Sequence, residues 1–161
     1  VAERKAAIEE WGKHPTSPAL GVVPDVIDDP AIVMLWGITR ENLDSWLNEG
    51  SEGDPNELKG FAACSGVVEG TARVVDSPEQ FDQVKKGDLL VCKMTSPSWV
   101  VVFTKIGGLV TDSGGALSHP AVVSREFGIP AVVGTRIATQ RIKTGQRLRV
   151  NGAAGVVEIL S

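Results

Sequence analysis

The sequence has no positive excess: 16 lysines and arginines face 20 acidic residues, for a net charge of −4. With no basic stripe there is no electrostatic case for nucleic-acid binding. No apolar run approaches the length of a membrane-spanning helix. The charged opening VAERKAAIEEW lacks the apolar segment of a secretory signal. Cysteine is scarce. Cys64 and Cys92 stand far apart, with no CxxC pair and no Cys/His cluster, which argues against a zinc site or a disulfide and reads as two reduced core cysteines of a cytoplasmic protein. There is no GxxxxGK[ST] phosphate loop, no internal repeat and no low-complexity tract. What is present is ordinary: 161 residues with 42% apolar and 22% charged content, enough for one full domain plus an appendage. The initial Val1 reads as the start of an excised or processed piece.

Residues 2–13 read as a short helix, and 14–30 as a segment broken by Pro15, Pro18, Pro24 and Pro30. Residues 31–38 are apolar, and periodicity leaves helix and strand open. Thr39 reads as the N-cap of a helix through Leu43, Trp46 and Leu47, stopped by Gly50. The polar stretch 51–59 reads as a linker and hinge, which divides the chain into an N-terminal helical arm with linker, 1–59, and a domain, 60–161. Within the domain, Val67-Val68 and residues 72–75 are expected to pair around Glu69-Gly70. Ser77-Pro78-Glu79-Gln80 reads as a capping box opening a helix to about Val84. A strand over 89–94 follows the turn at Lys86-Gly87-Asp88. Ser96-Pro97 is expected to cap a helix over about 98–105. Strands are predicted at 109–111, 131–133, 148–150 and 156–159, with a helical turn or loop at 137–141. Strands interleaved with helices argue for an α/β layer arrangement.

The most informative stretch is 111–134, TDSGGALSHPAVVSREFGIPAVVG. It places His119 where a glycine-rich loop turns into a short helix. Ser118 is a natural N-cap, Pro120 sits in the first turn, Gly128 is a natural C′ stop, and Ile129-Pro130 ends the helix. The helix therefore runs from about His119 to about Phe127. A helix N-terminus carries unpaired N–H groups and suits an anion, so a histidine there can accept a phosphoryl group and have the product stabilised.

This stretch resembles the phosphohistidine (swivelling, mobile) domain of the PEP-utilising enzymes, whose members include phosphoenolpyruvate synthase, pyruvate phosphate dikinase, enzyme I of the sugar phosphotransferase system, rifampin phosphotransferase and phenylphosphate synthase. The resemblance rests on Gly114-Gly115-Ala116-Leu117-Ser118-His119, Ser124-Arg125-Glu126 and Gly128-Ile129-Pro130-Ala131-Val132-Val133-Gly134. It extends to Ser65-Gly66-Val67-Val68-Glu69-Gly70, to the T-x-P-x-W turn Thr95-Ser96-Pro97-Ser98-Trp99, and to Val150-Asn151-Gly152-Ala153-Ala154-Gly155. It implies an α/β chain in which a compact swivelling β/β/α domain follows an N-terminal helical appendage. It further implies a phosphoryl carrier, part of a dikinase-type phosphotransferase, in which a nitrogen of His119, taken as Nε2, is transiently phosphorylated. The chain is too short to hold the family's nucleotide-grasp domain and the barrel that handles PEP. ATP and magnesium are therefore expected on partner domains, with no cofactor or metal bound by this chain. The implied partners are an ATP-grasp domain or subunit and an acceptor-binding domain for pyruvate, PEP or another small molecule.

Several roles stay open at this level. Attack requires the neutral imidazole, but the motif does not say which tautomer is held or by what. Gly114 and Gly115 either admit a phosphoryl donor close to the backbone or make a tight turn, and both can hold. Ser118 either caps the helix or bonds the phosphate. Arg125 either pairs with phosphate on a partner domain or makes a structural salt bridge, with Glu126 or a neighbouring strand as partner. Asp112 either orients His119 or caps the loop. Leu117 stands where pyruvate phosphate dikinase has a regulatory threonine, so that regulation is not carried over. Trp11, Trp36 and Trp46 either mark an interface or pack the arm onto the domain. The alternative function is a non-catalytic docking module of the same fold, against which the intact G-G-A-L-S-H sequence argues.

Overall fold

Among the described residues, short runs punctuated by glycine and proline give eight strands: β1 (Glu57–Lys59), β2 (Phe61–Cys64), β3 (Val67–Val74), β4 (Leu89–Cys92), β5 (Gly108–Thr111), β6 (Ala131–Val133), β7 (Arg147–Asn151) and β8 (Val156–Ile159). The structure, a computed structural model of the chain, describes residues 56–161, together with 26–27, 29–36, 38–40, 43 and the single positions 4, 6 and 10. The strands lie in the order β1-β8-β7-β3-β4-β5-β6-β2. The two ends of that order are joined through Gly60 alone, so the sheet curls back on itself. From β1 to β3 the strands pair antiparallel, and from β3 to β6 they run parallel, with β2 antiparallel to β6.

The period-2 alternation of side chains divides the interior in two. Leu89, Val91, Val110 and Val132 point to one core, shared with Leu148, Val150 and Val157 of the antiparallel half. Leu90, Cys92, Leu109, Ala131 and Val133 point to the other, where Trp99, Val102, Phe103 and Ala121 pack from the helical side. The chain is thus mixed α/β, and its central strands read as unbroken apolar runs because both faces are buried. The helical layer holds α1 (Val100–Phe103), entered through the 3₁₀ turn Pro97–Trp99, and α2 (His119–Phe127). A further short helix, α3 (Ala138–Arg141), packs Ala138 into the core formed by Leu89, Val91, Leu148 and Val150.

Several sequence expectations are corrected by the fold. The predicted pairing around Glu69-Gly70 is absent. β3 runs straight through, with Glu69 opposite Arg149 and Gly70 opposite Leu148. Gly70 gives room to a neighbour, since a Cβ there would lie 3.0 Å from Leu89 Cγ. The last residues of the expected linker, Glu57–Lys59, form β1 against β8, so the sheet begins before Gly60. Residues 51–55 lie outside the described residues, as do the hinge placed there, Trp11, Trp46 and the side chain of Trp36. Of the predicted arm helices, Arg4, Ala6, Glu10, Arg40 and Leu43 are described and helical. The apolar stretch left open between helix and strand contains a wide π turn, Ile32–Trp36. The capping box at Ser77 gives a 3₁₀ turn, Pro78–Gln83, without a side-chain cap from Ser77; Gln80 Oε1 instead accepts the Asp76 N–H at 2.8 Å. Cys92 is buried, and burial raises its thiol pKa strongly, whereas Cys64 is only half-buried. Iodoacetamide is therefore expected to alkylate Cys64 in the folded chain and to leave Cys92 untouched until unfolding, which peptide mass mapping checks.

Candidate functional site

The parallel ladder between β4 and β5 continues past the strands: the Asp112 N–H bonds Cys92 O at 3.0 Å and the Ser113 N–H bonds Lys93 O at 2.9 Å. This carries the chain to the sheet's carboxyl end, where α/β folds place their sites. There Gly114 turns at φ +127°, and a Cβ on it would lie 2.7 Å from Ser118 Oγ, so both conformation and space call for glycine. The loop folds tightly, and α2 begins at His119, as the sequence predicts. Gly128 turns left-handed at φ 65°. Its N–H bonds Arg125 O, and the Ile129 N–H bonds Ser124 O at 2.9 Å, the two bonds of a Schellman stop.

Ser118 does not cap the helix with its side chain. Its hydroxyl donates to Gly115 O at 2.7 Å, as does its own N–H at 3.0 Å. The side chain staples the loop, because the Gly115 carbonyl lies beneath it once Gly114 has turned. The N–H groups of His119 and Ala121 consequently have no hydrogen-bond partner among the described residues. The Gly115 N–H is taken by Leu35 O at 3.2 Å and the Leu117 N–H by Met34 O at 2.9 Å.

Arg125 pairs with no carboxylate among the described residues. One terminal NH₂ donates to Ala63 O at 2.9 Å and the other to Ala116 O at 2.6 Å, which fastens α2 to β2 and to the loop ahead of His119. The salt bridge expected with Glu126 or a strand is replaced by these two carbonyls. Asp112 does not orient His119 either. Its carboxylate accepts the Thr139 N–H at 2.9 Å and the Thr139 hydroxyl, tying α3 to the loop. Burial raises its pKa, and the hydrogen bonds from Thr139 and Ala138 act in the opposite direction.

The group that orients His119 is Thr95. Its Oγ1 lies 2.9 Å from His119 Nδ1, and Thr95 is itself buried. The T-x-P-x-W turn places it. Trp99 is buried with its ring edge-on to Phe81, centroids 5.0 Å apart, and the Trp99 N–H closes the turn on Ser96 O at 2.9 Å. Ser96 caps no backbone group with its side chain; its Oγ meets Ser98 Oγ instead. Sequence reasoning picks out this turn and misses its role, for a threonine 24 residues ahead of the histidine meets it only through the β4–β5 pairing.

His119 is half-buried, and desolvation lowers its pKa below the ordinary 6.5. Burial thus favours the neutral ring over the imidazolium. Its Nε2 is neither buried nor bonded to any described residue. The site offers an imidazole whose neutral form is favoured, with one nitrogen held by Thr95, beside two N–H groups at a helix start without a partner among the described residues. That arrangement can serve nucleophilic attack on an electrophile whose product is an anion.

Residues 84–155 match the family described as PEP-utilising enzyme, mobile domain. The chain is 42% identical over 136 residues to the rifampicin phosphotransferase of Bacillus subtilis, an alignment covering 84% of this chain and 14% of that protein. It is 46% identical over 100 residues to the probable phosphoenolpyruvate synthase of Pyrococcus abyssi, covering 62% of this chain and 12% of that one. The chain thus spans a small part of the length of these curated relatives. Among solved structures, the crystal structure of Thermococcus kodakaraensis aconitase X in its holo-form matches with TM-score 0.50 at 22% identity, over 65% of this chain and 98% of that chain, a likeness of fold alone. With the strand–loop–helix arrangement around His119 lying inside the matched residues, the chain carries over 84–155 the mobile domain of the PEP-utilising enzymes.

Proposed function

We propose that the chain is a phosphoryl carrier in which His119 takes a phosphoryl group at one site and delivers it at another. The observation that supports this most is the division of labour in the imidazole: Nδ1 meets the buried Thr95 hydroxyl at 2.9 Å, while Nε2 stands open at the start of α2. With Nδ1–H donating to Thr95 Oγ1, the lone pair lies on Nε2. That pair forms the N–P bond as the bond from phosphorus to the donor's leaving oxygen breaks. The bound phosphoryl oxygens are received by the N–H groups of His119 and Ala121. In delivery the N–P bond breaks toward an acceptor oxygen and the pair returns to Nε2. The donor is ATP on an ATP-grasp domain, where magnesium also belongs, and the acceptor is held by a further domain. The relatives' names span an antibiotic phosphotransferase and a phosphoenolpyruvate synthase, so acceptor choice lies outside these residues.

The test is loading with the cognate nucleotide-binding domain and ATP labelled separately at the β and γ positions, read by intact mass and acid lability. Acid-labile β label establishes the dikinase-type carrier. No label from either position, nor from PEP, with folded protein and an active partner, overturns it.

Two further outcomes follow. Thr95→Val keeps the side chain's shape but removes the partner that fixes the tautomer, and is expected to slow loading by about 10- to 100-fold, with Thr95→Ser restoring most of it; single-turnover loading rates measure this. The pH dependence has a definite sign. Desolvation disfavours the imidazolium, so the neutral nucleophile persists to lower pH than in a free histidine. Loading is expected to fall on acidification with a midpoint below 6.5, and a midpoint above 6.5 in the rate profile contradicts the assigned environment.

A further inference from the structure

We propose that residues 32–36 form a displaceable strap over the loop that carries His119, and that the strap and a phosphoryl group on His119 oppose each other. This inference rests on the carrier reading above. The strap has its own cap: Asp29 Oδ1 accepts the Ala31 N–H at 2.8 Å and the Ile32 N–H at 3.2 Å, and the Val33 N–H bonds Asp29 O at 3.0 Å. The turn is wide, and the Ile38 N–H closes on Ile32 O at 3.3 Å. In an α-helix the Ile38 N–H would instead occupy Met34 O. The wide turn leaves the Met34 carbonyl free to leave the helix axis. It takes the Leu117 N–H at 2.9 Å, and its neighbour Leu35 O takes the Gly115 N–H at 3.2 Å.

The attachment is local. Among the described residues its hydrogen bonds to the loop are these two backbone bonds, and the strap's apolar side chains stay partly exposed, Ile32 at 38%, Met34 at 42% and Leu35 at 44%. Release exposes what those side chains cover and breaks two hydrogen bonds, a local opening rather than an unfolding of the domain. The contact is nonetheless placed where it matters. The N–H groups of Gly115 and Leu117 belong to the loop feeding the start of α2, next to the unpartnered N–H groups of His119 and Ala121. A phosphoryl group on His119 brings anionic oxygens that seek such donors. The strap satisfies two of them first and sets carbonyl oxygens, with their partial negative charge, beside the loop. Strap attachment therefore disfavours the phosphorylated form. By linkage, phosphorylation loosens the strap by the same factor. The arm ahead of the domain thereby reports whether the carrier is charged.

The experiment uses the full chain with phosphoramidate, a small phosphoryl donor that needs no partner domain. Amide hydrogen exchange at Gly115 and Leu117 is followed by NMR before and after loading, and Asp29→Ala serves as the variant that loosens the strap without touching the loop. Both amides are expected to be protected in the free chain and to lose protection on phosphorylation. In Asp29→Ala, protection is expected to fall and loading to quicken by about fivefold, the equilibrium equivalent of one lost N-cap. Unchanged protection after loading overturns the proposal even if the variant folds poorly, because that comparison uses only the unaltered chain. Equal or slower loading in a folded Asp29→Ala also overturns it and leaves the carrier reading standing. If neither folded chain forms acid-labile phosphohistidine, the carrier reading falls and the strap falls with it.

Discussion

His119→Ala is expected to abolish acid-labile phosphate on the chain, lowering loading by roughly three orders of magnitude or more, because no other group supplies the nucleophile. The only other histidine in the sequence is His14, far from the α2 loop in the chain. The fold should survive. His119 is half-buried, so its removal leaves no large cavity, but Thr95 is buried and loses the partner of its hydroxyl. That unpaired hydroxyl costs about 1–3 kcal/mol, a fall in melting temperature of several degrees for a domain of this size. Loading by intact mass, alongside a thermal melt, separates the two effects. Retained acid-labile label in the variant would remove His119 from the mechanism. Retained biological function without loading would return the docking-module alternative.

The largest effect on stability is expected from Gly152→Ala. Gly152 lies in the β7–β8 turn, and its N–H bonds Gly66 O at 2.8 Å. A Cβ added there would lie 1.9 Å from Cys64 O and 2.8 Å from Ala131 N. Both are backbone atoms, of β2 and β6, at the seam where the sheet closes, and neither can swing aside as a side chain can. The turn must lift away from the seam, with an expected loss of about 3 kcal/mol or more, or roughly 10 °C and upward in melting temperature. Ala154→Gly in the same turn is the control, since Ala154 is exposed and its change should fall within about 1 kcal/mol. Equal melting temperatures for Gly152→Ala and the unaltered chain would contradict the packing described at the seam.

The parts of the site that local chemistry dictates are legible in the order of the residues. α2 is bounded by residues whose preferences act within one turn: extended Ser118, Pro120 in the first turn, left-handed Gly128. The short aliphatic strands β5 and β6 and the closing strands β7 and β8 are legible for the same reason, each being flanked by turn residues. Reading fails where a residue answers to something distant. Glu69-Gly70 resembles a turn because glycine often makes one, yet this glycine makes room for Leu89 inside an unbroken strand. Residues 57–59 resemble a linker because they are polar and short, and they pair with β8 from the far end of the chain.

The functional side chains divide along the same line. The sequence by itself determined that a histidine stands at a helix start after a glycine turn, because a first-turn proline and left-handed turns act through local backbone geometry. Only the tertiary structure decided what holds that histidine and what surrounds it. Thr95 reaches Nδ1 through the parallel pairing of β4 and β5, Arg125 turns to the carbonyls of Ala63 and Ala116, Asp112 turns to Thr139, and Ser118 turns to Gly115. Each polar side chain had more than one partner within its chemical reach. Which one it took depended on where the folded backbone placed the nearest unsatisfied donor or acceptor, and no local rule specifies that.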